Sequence, residues 1–127
     1  MIRHYESNFQ IGVVRFLRQQ GFYVFAVPNS GGSGKLTARQ GAQLKKEGLL
    51  AGVSDLVIVL QGRVVFVELK TPTGTGKQSE SQKEFEAEVS VRGHEYLLWQ
   101  SWAEVEAFVN AERTNKGYRE IKIGGTD

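Results

Sequence analysis

The chain reads as an α/β domain with a small mixed β-sheet flanked by helices. Three observations predict this class. Helical and strand-like hydrophobic periods alternate along the sequence in the order α-β-(α)-β-β-α-β-α. Two of the strands are separated only by Gln61-Gly62, which predicts a hairpin. The 127 residues, 40% of them hydrophobic, suffice for one domain with a modest core. No internal repeat, low-complexity tract or linker divides them, so residues 1–127 form a single domain.

Residues 4–20 predict a helix. Phe9, Val13, Phe16 and Leu17 lie in a stripe at helical spacing, Gly21 supplies a stop, and one turn further back the stripe reaches Glu6. Residues 22–27 read as a strand, ended by Pro28-Asn29 and a Gly/Ser loop. Residues 37–47, TARQGAQLKKE, predict a short, weakly apolar helix closed by Gly48. Residues 55–60 and 63–70 are the hairpin strands, and TPTGTGKQ is a polar loop after them. Residues 79–92 predict a second long helix with Phe85, Val89 and Ala87 on its buried side. A strand at 96–99 precedes a last helix at 101–111, opened by a capping box between Ser101 and Glu104. The tail to Asp127 fits a frayed end or a short extra strand.

Composition excludes several function classes. No cysteine is present, which removes disulfides and thiolate metal sites. No apolar run approaches the roughly 20 residues of a membrane span, and MIRHYESNFQ carries no signal-peptide core. A soluble, cytoplasmic protein without a membrane partner is expected. The loop NSGGSGKLT, residues 29–37, approaches the phosphate-binding pattern G-x-x-x-x-G-K-[ST]. Asn29 stands where its first glycine belongs, however, and Leu36 where a magnesium-binding hydroxyl belongs. No nucleotide cofactor is expected.

Net charge is only +2, but it is unevenly spread. Residues 1–53 hold seven Lys/Arg against two acids, and residues 78–112 hold eight acids against two bases. Lys35, Arg39, Lys45 and Lys46 follow one another with no acid between them. That asymmetry suggests a basic face able to meet a polyanion, although ordinary charged helix exteriors account for the same counts.

The chemistry concentrates in GVSDLVIVLQGRVVFVELKTPTG. Strand side chains alternate faces, so Val64, Phe66, Glu68 and Lys70 share one face. A two-residue turn at Gln61-Gly62 sets Leu60 opposite Arg63 and, counting outward, Asp55 opposite Glu68. Opposed side chains have Cβ atoms roughly 4.5–5.5 Å apart. Two carboxylates that close repel unless a cation joins them. Lys70 is one such cation; a divalent metal offsets more, and oxygen-only ligands favour Mg²⁺ or Mn²⁺. Glu6 is a candidate third carboxylate. A three-residue turn would slip the register and part the acids, and a Glu-x-Lys pair alone is also what a solvated strand face looks like.

Asp55 followed by Glu68-Leu69-Lys70 matches the PD-(D/E)-x-K nuclease signature. With PNSGG at 28–32, AQLKKEGLLAGVSDL at 42–56, VELKTPTGTGKQSESQ at 67–82 and RGHEYLLW at 92–99, the chain resembles the VRR-NUC family of virus-type replication-repair nucleases. The resemblance runs from residue 6 to about residue 110 and implies a restriction-endonuclease-like core. It implies metal-binding carboxylates at Asp55 and Glu68, the main-chain carbonyl of Leu69 as a further ligand, and Glu6 as the acid of the first helix. It implies that Lys70 positions or activates the attacking water, or stabilises transition-state charge, and that Gln82 lies near the site or the DNA backbone. Ser79-x-x-Gln82 is also a capping box, which would use Gln82 locally.

The family usually has proline before the Asp; here Ser54 is expected to leave chemistry intact while loosening the approach of Asp55. Asn29, Lys35, Arg39, Lys45, Lys46 and Lys77 are the expected DNA contacts, sequence-independent and salt-sensitive. The resemblance implies a Mg²⁺- or Mn²⁺-dependent, structure-specific DNA endonuclease in a phage or bacterial setting, with a homodimer resolving Holliday (four-way) junctions. A flap or nicking nuclease and a non-catalytic DNA-binding module are the alternatives. His4 and His94 receive no role.

Overall fold

The computed structural model describes residues 2–28, 37–74 and 76–116, with side chains from residue 7 to residue 114. Eight elements follow one another: α1 (Ile2–Gln19), β1 (Tyr23–Ala26), α2 (Ala38–Lys46), β2 (Leu56–Leu60), β3 (Arg63–Leu69), α3 (Glu80–Val91), β4 (Glu95–Trp99) and α4 (Trp102–Lys116). The strands form one mixed sheet in the order β1-β2-β3-β4. The first two pairings are antiparallel and β3–β4 is parallel, with α3 as the crossover.

The main core lies on one face of this sheet. Phe9, Val13 and Leu17 of α1 and Val105, Phe108 and Val109 of α4 close over Val24, Leu56, Ile58, Val65, Val67, Leu69 and Trp99. Those strand residues follow the alternation of a half-buried sheet, and the α1 stripe is the one the helical period marks out. Trp102 stands edge-on to Phe9 and Phe16, with ring centroids 5.8 and 5.7 Å away, and joins α4 to α1. Arg63 ties the hairpin to β4 and α4 through ion pairs with Glu95 (3.1 Å) and the buried Glu112 (2.5 Å).

The opposite face carries the candidate site residue Glu68. There α3 covers only the β3–β4 half: Phe85 packs edge-on against Phe66 (5.1 Å) and against Tyr96 (6.1 Å). Ala87 does not join this contact; it is exposed, because Phe85 and Val89 set the packed side of α3. Helix α2 buries none of its residues and is fixed by its own ends. Thr37 and Gln40 form a capping box at its start, and Gly48 follows its end at φ +110°.

Several boundaries differ from the sequence expectation by a residue or two. Strand β2 begins at Leu56 and β3 ends at Leu69, so Asp55 and Lys70 sit just past the ladder. The reason is local: the Leu69 N–H donates to the Asp55 side chain (2.8 Å) rather than to a main-chain carbonyl. Helix α4 runs on to Lys116, five residues beyond the expected end. Its start holds half of the expected capping box, the Glu104 carboxylate accepting the Ser101 N–H at 3.1 Å.

Candidate active site

The turn at Gln61-Gly62 has two residues. Leu60 pairs with Arg63 and Leu56 with Val67, and Gly62 takes the positive φ of +87° that this turn requires. Extended by one position, that register sets Asp55 opposite Glu68. Val27, the residue after β1, continues the row, its N–H donating to the Asp55 carbonyl at 2.8 Å. Glu68 is 7% exposed, and Lys70 Nζ stands 3.8 Å from its Oε2. The N–H and C=O of one strand residue point to the same side. Because Leu69 donates its N–H to Asp55, its carbonyl opens on the Asp55 side as well.

Gln82 reaches this cluster from the first turn of α3. Its Nε2 donates to Glu68 Oε2 at 3.0 Å, while its Oε1 accepts from Lys70 Nζ at 3.3 Å and from the Ser79 N–H at 2.9 Å. The capping box and the site therefore use the same amide at once, and the two readings of Gln82 in the sequence are compatible. The Ser79 N–H can only be satisfied by the oxygen end, which leaves the nitrogen end for the carboxylate.

A glycine sets the distance between α3 and the Asp55 loop. Gly52 has φ +90°, and a Cβ built there would lie 2.2 Å from the Ser81 carbonyl oxygen and 2.9 Å from the Gln82 nitrogen. Backbone packs directly on backbone at that point. Ser54, buried beside it, donates its hydroxyl to the Leu56 carbonyl at 3.0 Å. A hydrogen bond thus restrains the segment, where a looser approach was expected without proline.

Electrostatics favour a cation here. Burial pushes the Asp55 carboxyl above its ordinary 3.8, against the opposing pull of the Leu69 N–H, the Lys70 ammonium and the Glu68 carboxyl within hydrogen-bonding reach. Burial also pushes the Tyr96 phenol up to about 12, with the charges of Glu68, Glu86 and Asp55 adding to it. With both acids ionised, one ammonium beside the buried Glu68 and the half-buried Asp55 leaves the cluster net negative. Among the described residues no group of three or more His, Cys, Asp and Glu side chains is poised for a metal. A magnesium-type ion does not require one: it is commonly held by one or two carboxylates, with waters and substrate phosphate filling its shell. The donor set, two carboxylates and a main-chain carbonyl, fits such a hard cation.

The remaining expected residues divide by position. Glu6 lies in α1, but its side chain falls outside the described residues, as does that of His4. Asn29, Lys35 and the whole of 29–36 fall outside them too, and so does the tail from residue 117. Arg39, Lys45 and Lys46 are exposed on α2, and Lys77 is exposed in the loop before α3. His94 accepts the Val64 N–H at Nδ1 (3.0 Å), a hydrogen bond that holds the start of β3 and accounts for it structurally. Sequence reasoning missed Gly52 and Tyr96. One glycine among 15 carries no signal until its neighbour across the fold is known.

No protein-family model matches the sequence, and no curated protein matches it. A solved structure described as a VRR_NUC domain protein does match in three dimensions, with a TM-score of 0.63 at 20% identity. The match covers 96% of this chain and 92% of the other. The small mixed four-stranded sheet with its four helices is thus an α/β fold shared with a VRR_NUC domain protein.

Proposed function

We propose that the chain is a metal-dependent, structure-specific DNA endonuclease that hydrolyses phosphodiester bonds. The observation that carries this reading is the convergence of Asp55, Glu68, Lys70 and Gln82 at the open end of one hairpin, on a fold shared with a VRR_NUC domain protein. Asp55, Glu68 and the Leu69 carbonyl would hold Mg²⁺ or Mn²⁺, with Glu6 as a further carboxylate from α1. When bound, such an ion supplies Lewis-acid stabilisation of the phosphate and eases deprotonation of water.

The chain's own groups do the rest. Lys70, held by Gln82 and Glu68, offers its ammonium to the attacking water or to the charge that grows on the phosphate. Gln82 fixes the Glu68 carboxylate and the lysine in one geometry. Arg39, Lys45, Lys46 and Lys77, with Asn29 and Lys35, would neutralise backbone phosphates without reading bases.

The finer reading is a homodimer that resolves four-way DNA junctions in a phage or bacterial cytoplasm, its two-fold symmetry presenting two sites to a symmetric substrate. No helix among the described residues is long and apolar enough to cross a membrane. The test is cleavage of a labelled junction beside flap, linear duplex and single-stranded controls, with Mg²⁺ or Mn²⁺. Paired symmetric cuts, abolished by EDTA and by Lys70→Ala, are the expected result. Cuts confined to flaps or linear DNA retain the nuclease and reject the resolvase, while binding without any cut rejects catalysis.

A further inference from the structure

We propose that Tyr23 and Phe25, on the half of the sheet's site face that α3 does not cover, form a stacking platform for unpaired nucleotides of the DNA that enters the carboxylate site. This deepens the nuclease reading above and rests on it.

Strand β1 alternates cleanly. Val24 is 4% exposed in the main core, so its neighbours Tyr23 and Phe25 point to the other face, where they are 73% and 43% exposed. The register identifies that face. Phe25 pairs with Val57 and Val57 with Phe66, while Tyr23 pairs with Val59 and Val59 with Val64. Phe66 shares its face with Glu68 two residues on, so the exposed aromatics and the carboxylates occupy one surface. Val27 lies in the row of Asp55 and Glu68. Alternate residues of a strand lie about 6.6 Å apart, which puts Phe25 one such step from the carboxylate row and Tyr23 two. Helix α3 stops over β3 and β4; among the described residues of this half Val57 is buried between its neighbours, while Tyr23, Phe25 and Val59 are exposed.

Two aromatic rings at that spacing on a sheet suit nucleic acid. Every base has a π-face, and sheet aromatics stack two or three successive bases in known single-strand binders. The connection that leaves β1 and returns at Asp55 carries cations: α2, with exposed Arg39, Lys45 and Lys46, lies within it. A second copy of the chain suits the face less well. Arg18 donates twice to the Val24 carbonyl, at 3.3 and 3.0 Å, which occupies an acceptor on β1, an edge strand of the sheet. Tyr23, Phe25 and Val59 alone also fall short of the roughly 800 Å² per partner of a stable interface.

The test is binding in EDTA, so that no cleavage is needed. Affinities of a short oligothymidylate and of a blunt duplex are measured for the wild type, Phe25→Ala, Phe25→Leu, Phe25→Trp and Tyr23→Ala, with thermal melts to verify folding. We expect each alanine, and Phe25→Leu, to weaken oligothymidylate about tenfold, with Phe25→Trp close to wild type and duplex affinity unchanged. An abasic position within the strand should weaken the wild type but not Phe25→Ala. Equal losses on duplex, full affinity in Phe25→Leu, or a change from dimer to monomer with unaltered DNA affinity would overturn the platform. Cleavage by the wild type with Mg²⁺ or Mn²⁺, and its loss in Glu68→Gln, tests the nuclease reading separately. A chain that cuts nothing yet binds oligothymidylate through Phe25 keeps the platform and loses the nuclease.

Discussion

Gln82 donates to Glu68 across 3.0 Å while the other end of the same amide accepts the helix-capping N–H of Ser79. A local helix signal and a long-range site contact thereby share one side chain. The start of α3 cannot rotate without moving the carboxylate.

The two halves of that arrangement separate by mutation. Gln82→Glu keeps an oxygen for the Ser79 N–H but sets a carboxylate against Glu68, whereas Gln82→Ala removes both contacts. Gln82→Glu should keep the capping contact, at some cost in stability from the carboxylate it sets against Glu68, yet lose at least tenfold in cleavage rate. Gln82→Ala should lose activity and about 1 kcal/mol of stability together. Thermal melts and single-turnover cleavage measure the two effects; equal activity in Gln82→Glu and wild type would remove Gln82 from the site.

Asp55 offers a stability test in the metal-free protein. Its carboxyl titrates above the ordinary 3.8 in the folded chain, chiefly because it is buried. The neutral form's contribution is complete below the unfolded value and is lost as pH rises through the folded one. At neutral pH, in EDTA, Asp55→Asn should therefore melt higher than wild type, by about 3 °C, with the gap closing as pH falls towards 3.8. Saturating Mn²⁺ should raise the melting temperature of the wild type and not of the variant. A variant that melts lower in EDTA at neutral pH would mean that the carboxylate serves the fold.

Most of the fold was legible because its signals are local. Hydrophobic periods marked α1, α3 and the strands, end signals marked α2 and α4, and the two residues between Leu60 and Arg63 set the register that faces Asp55 with Glu68. Glu68 and Lys70 follow from alternation alone. What stayed hidden depends on tertiary neighbours. Which strand edge α3 covers decides that Phe25 is open while Phe66 is packed, and no periodicity encodes that choice. The serine before Asp55 read as a loss of restraint, since its hydroxyl's partner, the Leu56 carbonyl, emerges only with the turn of the chain.

Helix α2 is a test of phosphate binding. Arg39, Lys45 and Lys46 are exposed on a helix that buries nothing, so replacing them should leave stability nearly unchanged. The triple change to glutamine should weaken duplex and junction binding alike. It should also flatten the slope of log affinity against log salt, by about one for each phosphate that is no longer neutralised. An unaltered slope would place the DNA elsewhere on the protein.

Gly52 makes the sharpest prediction about geometry. A methyl group there would lie 2.2 Å from the Ser81 carbonyl, and the φ of +90° is itself disfavoured for any residue with a Cβ. Gly52→Ala should cost about 1–3 kcal/mol for the backbone alone, and the clash must push the first turn of α3 away from the Asp55 loop. Because Gln82 rides on that turn, its bond to Glu68 should lengthen before the core is disturbed. Cleavage should fall at least tenfold at temperatures well below the melting point, chiefly in kcat, since the exposed cations proposed to meet phosphate are untouched. Gly41→Ala is the control: that glycine lies in α2 with open space around its added methyl, and the change should leave activity intact. If Gly52→Ala keeps wild-type kcat while melting lower, the glycine serves only the fold, and the spacing between α3 and the Asp55 loop is not what holds Gln82 in place.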